Sequence, residues 1–352
     1  MPAFDPKPTA DASRFKLGTF SAPGAACAPG VVIDDQVIML VALAPLAERV
    51  NHACPFNASS LLGVLDQWAT SQLFLADAAR LIRAGEAHEV AGHLISLQGL
   101  RHHAPLMPRQ IFCSGANYKK HVVELFVAQT FHLNEHLSAP QRLAEGWRMM
   151  DERATSGTPF FFVKAQSTLA GPFDAIMLPI GVEQPDWELE LGVVIGKSAR
   201  HVSREQALEH VAGYMVVNDI TSRDRVNRKD MKELGMDWVA SKCSPTFLPT
   251  GPYLVPASTV GDPQSLQLVL KLNGETMQNE STADMIFGVA RLIESLSATC
   301  LLQPGDLICT GSPAGNGMHY KRFLRPGDIL EGSIGGLGTQ RNICVAETLA
   351  AR

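Results

Sequence analysis

The stretch that decides the fold is PDWELELGVVIGKSAR, residues 185–200. Its apolar middle, Leu189 to Ile195, predicts a buried β-strand. Glu188 and Glu190 stand at the start of this strand, and because they are two positions apart their side chains point to the same face of the sheet. Two like charges at the edge of an apolar core need a positive partner.

A third carboxylate, Asp219, lies at the end of a second predicted core strand, in GYMVVNDITSRD (residues 213–224). Three carboxylates at strand ends favour a site for a hard cation such as Mg²⁺ or Mn²⁺, which takes oxygen ligands and offsets the repulsion between them. The spacing leaves two other interpretations open. The carboxylates can lie on an exposed face, or they can pair with Arg or Lys side chains.

A histidine and a glutamate share one face of a predicted helix in NYKKHVVEL (residues 117–125). His121 and Glu124 are three positions apart, so they can form a hydrogen bond in which the carboxylate orients and charges the imidazole. Such a pair can take a proton from water. The alternative is a solvent-facing pair on an ordinary amphipathic helix.

Three cations lie in apolar or small-residue surroundings: Lys164, Arg223 and Lys242. Each either pairs with a nearby acid or binds an anionic substrate. The glycine-rich segments TGSPAGNG (residues 310–317) and GSIGGLGT (332–339) are ligand loops or tight β-turns. The end of LGVVIGKS (191–198) looks like a phosphate-binding loop, but it lacks the first glycine and is predicted as a strand, which excludes nucleotide hydrolysis.

The length of 352 residues predicts two domains of unequal size, and a composition of 46% hydrophobic and 18% charged residues is typical of a compact globular protein. We expect a smaller β-rich N-terminal domain with helices, residues 1–105, and an α+β, mainly β domain over residues 106–352. The net charge of −5 and the lack of a basic stripe exclude nucleic acid as an expected partner.

The seven cysteines are odd in number and form no CxxC pair, so we expect no disulfide framework and no zinc cluster. A reduced, cytoplasmic compartment fits this usage best. The beginning of the chain has no signal-like apolar region, and the longest apolar run is too short to cross a bilayer. We therefore expect a soluble, unprocessed protein without a membrane partner.

The coarse secondary structure follows from hydrophobic periodicity and turn residues. We predict a β unit over residues 16–41, helices over 59–72 and 73–90, and a linker over 101–110. In the second domain we predict a strand over 111–117, helices over 118–137, 203–211 and 283–300, and a helical surface insertion over 138–159, among many short strands.

Taken in order, the segments of the second domain resemble the fumarylacetoacetate hydrolase superfamily, which includes acylpyruvases, related β-diketone hydrolases and some decarboxylases and hydratases. The resemblance rests on SGANYKKHVVEL, FFVKAQSTLAGP, DWELELGVVIGK, VAGYMVVNDITSRD, DWVASK, LVLKLNGETMQ, LQPGDLICTGSPAGNG and LRPGDILEGSIGGLGTQRN. It implies the family's mixed β-sandwich roll as the catalytic domain and a homodimer.

The resemblance also implies roles for individual residues. Glu188, Glu190 and Asp219 match the metal-binding carboxylates, with Mg²⁺ preferred and Mn²⁺ or Ca²⁺ as alternatives. His121 and Glu124 match a water-activating pair on a lid helix, and Lys242 matches a lysine that polarises the substrate. The remaining positions assigned to substrate binding are Arg223, Tyr118, Lys164 and Thr310.

The chain departs from the family pattern at several positions. Val226 and Asn227 stand where a glutamine often helps to stabilise the oxyanion, and Ser114 stands where the classical member has a further Asp ligand. The insertion between Leu125 and Pro159 is longer than in compact members. These differences leave the metal site intact and bear on the choice of substrate.

The implied activity is metal-dependent hydrolysis of a C–C bond in a 1,3-diketo acid, such as an acylpyruvate, in the catabolism of aromatic compounds. His121, oriented by Glu124, would deprotonate water, and Lys242 and Arg223 would neutralise the charge that develops on the substrate. The alternative is a lyase on the same scaffold, acting as hydratase, decarboxylase or isomerase of a 2-oxo acid. A non-catalytic metal-binding relative is disfavoured by the His-Glu pair.

Overall fold

The computed structural model describes residues 12–50, 56–128 and 137–349. Cys54 and the part of the predicted lid helix over residues 129–136 lie outside the described residues. The predicted α+β, mainly β fold is confirmed. None of the described helices is long and apolar enough to span a membrane.

The first part of the chain forms an antiparallel five-stranded sheet with the order β4-β3-β2-β1-β5. Its strands are β1 (Lys16–Ser21), β2 (Ala28–Ile33), β3 (Gln36–Met39), β4 (Ile95–Ser96) and β5 (Arg101–His103). The strands predicted between residues 16 and 41 are confirmed. The linker prediction is wrong at its start, because Arg101–His103 pairs with β1 and forms an edge of the sheet.

Two α-helices follow β3, namely α1 (Leu61–Leu65) and α2 (Trp68–Arg83). The Oγ atom of Ser60 accepts a hydrogen bond from the backbone N–H of Gly63 at 3.2 Å and so caps the beginning of α1. The break between the helices lies near residue 67, earlier than predicted. The reason is that buried side chains from Trp68 to Leu81 form one continuous apolar face.

The second part of the chain contains the longer sheets. Its strands are β6 (Ile111–Gly115), β7 (Phe160–Val163), β8 (Leu169–Ala170), β9 (Ile176–Leu178), β10 (Pro185–Asp186), β11 (Leu189–Ile195), β12 (Val211–Asn218), β13 (Thr221–Ser222), β14 (Leu248–Pro249), β15 (Val255–Pro256), β16 (Gln267–Leu272), β17 (Glu275–Ser281), β18 (Leu307–Cys309), β19 (Ile329–Ile334) and β20 (Gly338–Ala346).

These strands build a six-stranded sheet, β15-β12-β11-β18-β6-β7, and a five-stranded sheet, β17-β16-β19-β20-β9. Two short pairs, β10 with β13 and β14 with β8, complete the arrangement. Every residue of β11 is buried. Its odd positions, such as Leu191 and Val193, pack in a core with Leu268 of β16 and Leu330 of β19, whereas Val194 packs in a core shared with the N-terminal sheet.

The second part also contains the helices α3 (Lys119–Ala128), α4 (Ala139–Ser156), α5 (Trp238–Lys242), α6 (Ala257–Val260), α7 (Val289–Thr299) and α8 (Gly317–Tyr320). The helical insertion predicted over residues 138–159 is confirmed as α4. It begins with a capping box in which the backbone N–H of Ser138 donates to Oε1 of Gln141 at 2.9 Å.

Two helix predictions need correction. Residues 203–211 form only a short 3₁₀ turn, Ala207–His210, because β12 begins at the next residue. The helix predicted over 283–300 begins only at Val289. Asn117 holds the preceding backbone extended, since its carbonyl oxygen accepts the N–H of Ile286 at 2.7 Å and its side-chain oxygen accepts the N–H of Phe287 at 2.9 Å.

Candidate metal and substrate site

Three buried carboxylates meet where β11 begins and β12 ends. Glu188 and Glu190 project from one face of the β11 chain, and Asp219 follows the neighbouring strand directly. The backbone N–H of Asp219 donates to the carbonyl oxygen of Glu188 at 2.8 Å, which fixes the two segments side by side. One ligand oxygen from each carboxylate lies within 4.8 Å of the others, and the three residues are at most 8% exposed.

Two buried lysines form ion pairs with these carboxylates. Nζ of Lys242 lies 2.6 Å from Oε2 of Glu188 and 2.6 Å from Oδ2 of Asp219. Nζ of Lys164 lies 2.5 Å from Oδ1 of Asp219 and donates to the carbonyl oxygen of Ile220 at 3.1 Å. Burial opposes the charge of Lys242, but the Asp219 and Glu188 carboxylates outweigh it and raise the pKa of the lysine.

Arg223 connects Glu188 to a fourth buried carboxylate, Asp186. Its Nε donates to Oδ2 of Asp186 at 2.8 Å, and its Nη2 contacts Glu188. Asp186 also accepts the backbone N–H groups of Gly317 at 2.5 Å and Met318 at 3.3 Å, the first residues of α8. Burial raises the pKa of Asp186, against the opposing effect of Arg223.

Glu190 has no lysine or arginine partner within the described ranges. Its Oε2 accepts the backbone N–H of Gly311 at 2.7 Å. Burial, and then the negative charge of Asp219, raise the pKa of Glu190 well above its ordinary value. A cluster of carboxylate oxygens that carries one uncompensated acid suits a hard divalent cation, so these residues fit a magnesium-type ion.

A cavity of about 510 Å³ opens beside this group, with His121 and Glu124 of α3 in its wall. His121 is buried, and burial followed by the positive charge of Arg223 lowers its pKa to about 4. Its imidazole is therefore neutral at pH 7 and able to accept a proton. Within residues 12–50, 56–128 and 137–349, His121 and Glu124 form no hydrogen bond with each other, and Nδ1 of His319 lies 3.0 Å from Oε2 of Glu124 instead.

Residues 110–345 match the family model described as "Fumarylacetoacetate (FAA) hydrolase C-terminal", which covers well over half of the chain. The chain belongs to the fumarylacetoacetate hydrolase family. Fumarylacetoacetate hydrolase from the psychrophile Exiguobacterium antarcticum has a similar structure, with a TM-score of 0.67 and 27% identity over 95% of this chain and 100% of that one.

Two curated relatives of the fumarylacetoacetate hydrolase family show what kinds of enzyme the chain is similar to. Oxaloacetate tautomerase YisK of Bacillus subtilis is 33% identical over 89% of this chain and 94% of its own length. The 2,4-didehydro-3-deoxy-L-rhamnonate hydrolase of a Sphingomonas species is 46% identical over 52% of this chain and 64% of its own length, so the chain matches less than two thirds of that relative. Both named relatives are enzymes.

Two further positions assigned from the family pattern lie close to the carboxylates. Tyr118 is fully buried, and burial followed by the charge of Glu190 raises its pKa well above the ordinary value, against the opposing effect of a hydrogen bond with Thr310. Thr310 is also fully buried, but its hydroxyl donates to the carbonyl oxygen of Leu191 at 2.9 Å. The hydroxyl proton of Thr310 is therefore already engaged in a hydrogen bond within the protein.

Three positions at which the chain departs from the family pattern are Ser114, Val226 and Asn227. Ser114 is buried in β6, and its hydroxyl has no partner among the described residues. Val226 and Asn227 belong to a surface segment in which Asn227 bridges to Met236. None of these three side chains contributes an ion pair to the carboxylate group in the described ranges.

Sequence reasoning missed Asp186, Asn316 and His319. Asp186 had a detectable signal, because positions 186, 188 and 190 alternate along one extended segment and share a face. Asn316 lines the cavity from the TGSPAGNG segment, which was interpreted only as a loop or turn. His319 follows on α8, and nothing in the local sequence connects it with Glu124.

Proposed function

We propose that this protein is a metal-dependent hydrolase that cleaves a C–C bond in a 2,4-dioxo acid of the acylpyruvate type. The observation that carries the proposal is the buried group of Glu188, Glu190 and Asp219 beside a cavity that contains a neutral, buried histidine. The similarity to a hydrolase of 2,4-didehydro-3-deoxy-L-rhamnonate, a name that denotes a 2,4-dioxo acid, supports it.

The metal would be held by Glu188, Glu190 and Asp219, and Mg²⁺ is the ion we propose because all three donors are carboxylates. When bound, a divalent ion supplies Lewis-acid stabilisation for the oxygens of the 2-oxo acid end. Two buried lysines hold these carboxylates in position, since Lys164 forms an ion pair with Asp219 and Lys242 forms ion pairs with Glu188 and Asp219.

His121 would act as the general base. A neutral imidazole takes a proton from water, and the resulting hydroxide adds to the acyl carbonyl carbon. The bond between that carbon and the neighbouring methylene then breaks, its electron pair stays on the methylene carbon, and a proton adds there to give pyruvate and a carboxylic acid. Arg223 and Lys242 would neutralise negative charge on the reacting oxygens.

A second candidate is a tautomerase or another reaction of a 2-oxo acid that needs no attacking water. The similarity to an oxaloacetate tautomerase extends over nearly the whole chain. It is also favoured by the geometry of Glu124, which lies against His319 and forms no hydrogen bond with His121 in the residues described. A tautomerase reaction does not use the water-activating pair of His121 and Glu124, so it does not require the hydrogen bond between them.

The two candidates give different products from purified protein and Mg²⁺. We expect pyruvate and a carboxylic acid from 2,4-dioxo acids, identified by mass, and loss of this reaction when His121 is replaced with alanine. Accelerated keto–enol exchange of oxaloacetate without any cleavage of 2,4-dioxo acids would establish the second candidate and overturn the first. We further propose a homodimer, which sedimentation analysis tests.

A further inference from the structure

A second cavity lies between the N-terminal sheet and the second part of the chain. It has a volume of about 280 Å³. One side of its wall comes from β1, β2 and the last residue of α2, and the other side comes from Val255 of β15, Thr259 of α6 and Gly336, which lies in the turn between β19 and β20. Within the described residues it shares no wall residue with the cavity beside His121, so it is a separate site.

Three cations and one acid line this second cavity. The acid, Asp34, is already balanced, because Nη2 of Arg83 lies 3.0 Å from its Oδ1. Nη1 of Arg83 donates to the backbone carbonyl oxygens of Ala12 and Arg14 at 2.6 Å each, so this arginine is engaged within the protein. The side chains of Arg14 and Lys16 have no carboxylate partner in the described part of the chain. The wall therefore carries two positive charges in excess, although the whole chain has a net charge of −5.

Lys16 is the cation of this wall that most needs a counter-ion. Its side chain is half-buried, and its Nζ lies 5.1 Å from the centre of the Tyr253 ring. Burial lowers the pKa of Lys16, and no described carboxylate opposes this effect. A half-buried ammonium group without a counter-ion is less stable than one in water, so an anion that enters the cavity is bound more tightly because it restores the charge balance.

The charges and the size of the cavity restrict the ligand that it can take. Two positive charges in excess suit a dianion better than a monoanion. Arg14 offers a fork of N–H donors and Lys16 an ammonium group, and both donor types bind the oxygens of phosphate and carboxylate groups. The volume lies below the range of about 300–1,000 Å³ that is typical of sites for drug-sized molecules, so the ligand is small.

We propose that this cavity binds a small dianion, either a phosphate group or a short dicarboxylate, and that Arg14 and Lys16 are its counter-ions. The inference is independent of the reaction proposed at the carboxylate group. Because the wall combines residues of the N-terminal sheet with residues of the second part of the chain, a bound dianion stabilises the packing between them.

The test is thermal unfolding of the full chain, free of divalent metal, in increasing inorganic phosphate, with chloride keeping the ionic strength constant. Omitting the metal leaves the carboxylate group negative, so phosphate is not attracted to it. At about ten times its Kd, phosphate should raise the Tm of the 352-residue protein by about 2 °C. The same titration with succinate distinguishes the two sources of the dianion, and a response to either one upholds the inference.

Lys16→Met should abolish this rise in Tm. In chloride alone it should unfold at the same or a higher temperature than the parent protein, because it removes a half-buried charge that has no described counter-ion. Arg14→Gln changes an exposed side chain and should weaken the Kd of the anion at least about tenfold. Lys271→Met is the matched control, since Lys271 is an exposed residue of β16 outside the cavity wall and should keep the full response.

Reductive methylation of the lysines, followed by mass analysis of the peptides, locates the bound anion without reference to stability. The anion that raises the Tm should slow the modification of Lys16 and leave that of Lys271 unchanged. A Tm that responds to neither phosphate nor succinate would overturn the inference. An equal rise in Lys16→Met and the parent protein would also overturn it, because such a rise is a general effect of the salt on the protein surface.

Discussion

Replacing Glu190 with glutamine should abolish divalent-metal binding without destabilising the metal-free protein. The two effects are separable because Glu190 has no lysine or arginine partner in the described residues, whereas Glu188 and Asp219 are held in ion pairs. The glutamine keeps an oxygen that can accept the N–H of Gly311. It removes a buried negative charge that only a metal ion would balance.

The magnitude follows from linkage between binding and unfolding. An ion at 100 times its Kd stabilises the folded state by about 2.7 kcal/mol. At about 2.1 cal/mol/K per residue, the 352 residues give an unfolding entropy of about 740 cal/mol/K, so the parent protein should gain about 4 °C in Tm. Glu190→Gln should gain nothing in Mg²⁺, and its Tm in chelator should equal or exceed that of the parent.

The pH dependence gives a second, independent readout. Folding raises the pKa of Glu190 above its ordinary value of 4.5, so the folded state binds this proton more tightly than the unfolded chain. In chelator, the contribution of Glu190 to stability is therefore fully present below pH 4.5 and is lost as the pH rises through the folded pKa. The Tm difference between Glu190→Gln and the parent protein should grow in favour of the variant over this range.

Scanning calorimetry in chelator and in Mg²⁺, with titration calorimetry for the metal, measures these quantities. Glu183→Gln is the matched control, since Glu183 is exposed and should keep the full Mg²⁺ response. A Glu190→Gln protein that still gains about 4 °C in Mg²⁺, or that unfolds several degrees below the parent in chelator, would refute the assignment of Glu190 as the uncompensated metal ligand.

His121→Ala should lose at least about a hundredfold in the rate of cleavage yet keep its Mg²⁺-dependent gain in Tm. In the parent protein, kcat/KM should stay constant from pH 8 to pH 6, because the pKa of His121 is about 4. An ionisation near pH 6.5 in this profile would contradict the role of His121 as general base. Lys242→Met should lower the free energy of unfolding by about 3–5 kcal/mol in chelator and by less in Mg²⁺, because the metal would replace the lost positive charge. Unfolding in denaturant measures both values. An equal loss in both conditions would argue against a site that the metal and Lys242 share. Gly317→Ala should lower the free energy of unfolding by about 1–3 kcal/mol and also lower kcat/KM, because the added methyl group would lie 2.6 Å from Oδ1 of Asp186. Gly92 has open space around it, so Gly92→Ala should change neither the stability nor kcat/KM. Equal behaviour of the two variants would contradict the packing argument.

The parts of the fold that were predictable are those in which side-chain direction follows from strand geometry. The alternation along Glu188, Leu189 and Glu190 placed both carboxylates on one face, and the structure has them there. The same rule applied to Asp186 would have found the fourth carboxylate. The helix starts were less predictable, because at Val289 a distant side chain, Asn117, decides where the helix begins.

The interactions that make the site could not be predicted from local pattern, because they join distant segments. Lys164 reaches Asp219 from 55 positions away, and Lys242 reaches Glu188 from 54 positions away. Of the three interpretations that the spacing left open, the exposed face is wrong, because all three carboxylates are buried. The other two, a cation site and pairing with lysine or arginine, are compatible, because the lysines pair with Glu188 and Asp219 and leave Glu190 without a cationic partner in the described residues. The domain boundary near residue 105, the homodimer and the cytoplasmic location stay predictions.

The charge balance of the buried group explains why a metal and an anionic substrate belong together here. Asp186, Glu188, Glu190 and Asp219 face Lys164, Arg223 and Lys242, so full ionisation leaves one unbalanced negative charge. A divalent ion changes this into one unbalanced positive charge, which matches the single carboxylate of a 2-oxo acid. Because burial makes each unbalanced charge costly, metal and substrate should each bind more tightly in the presence of the other.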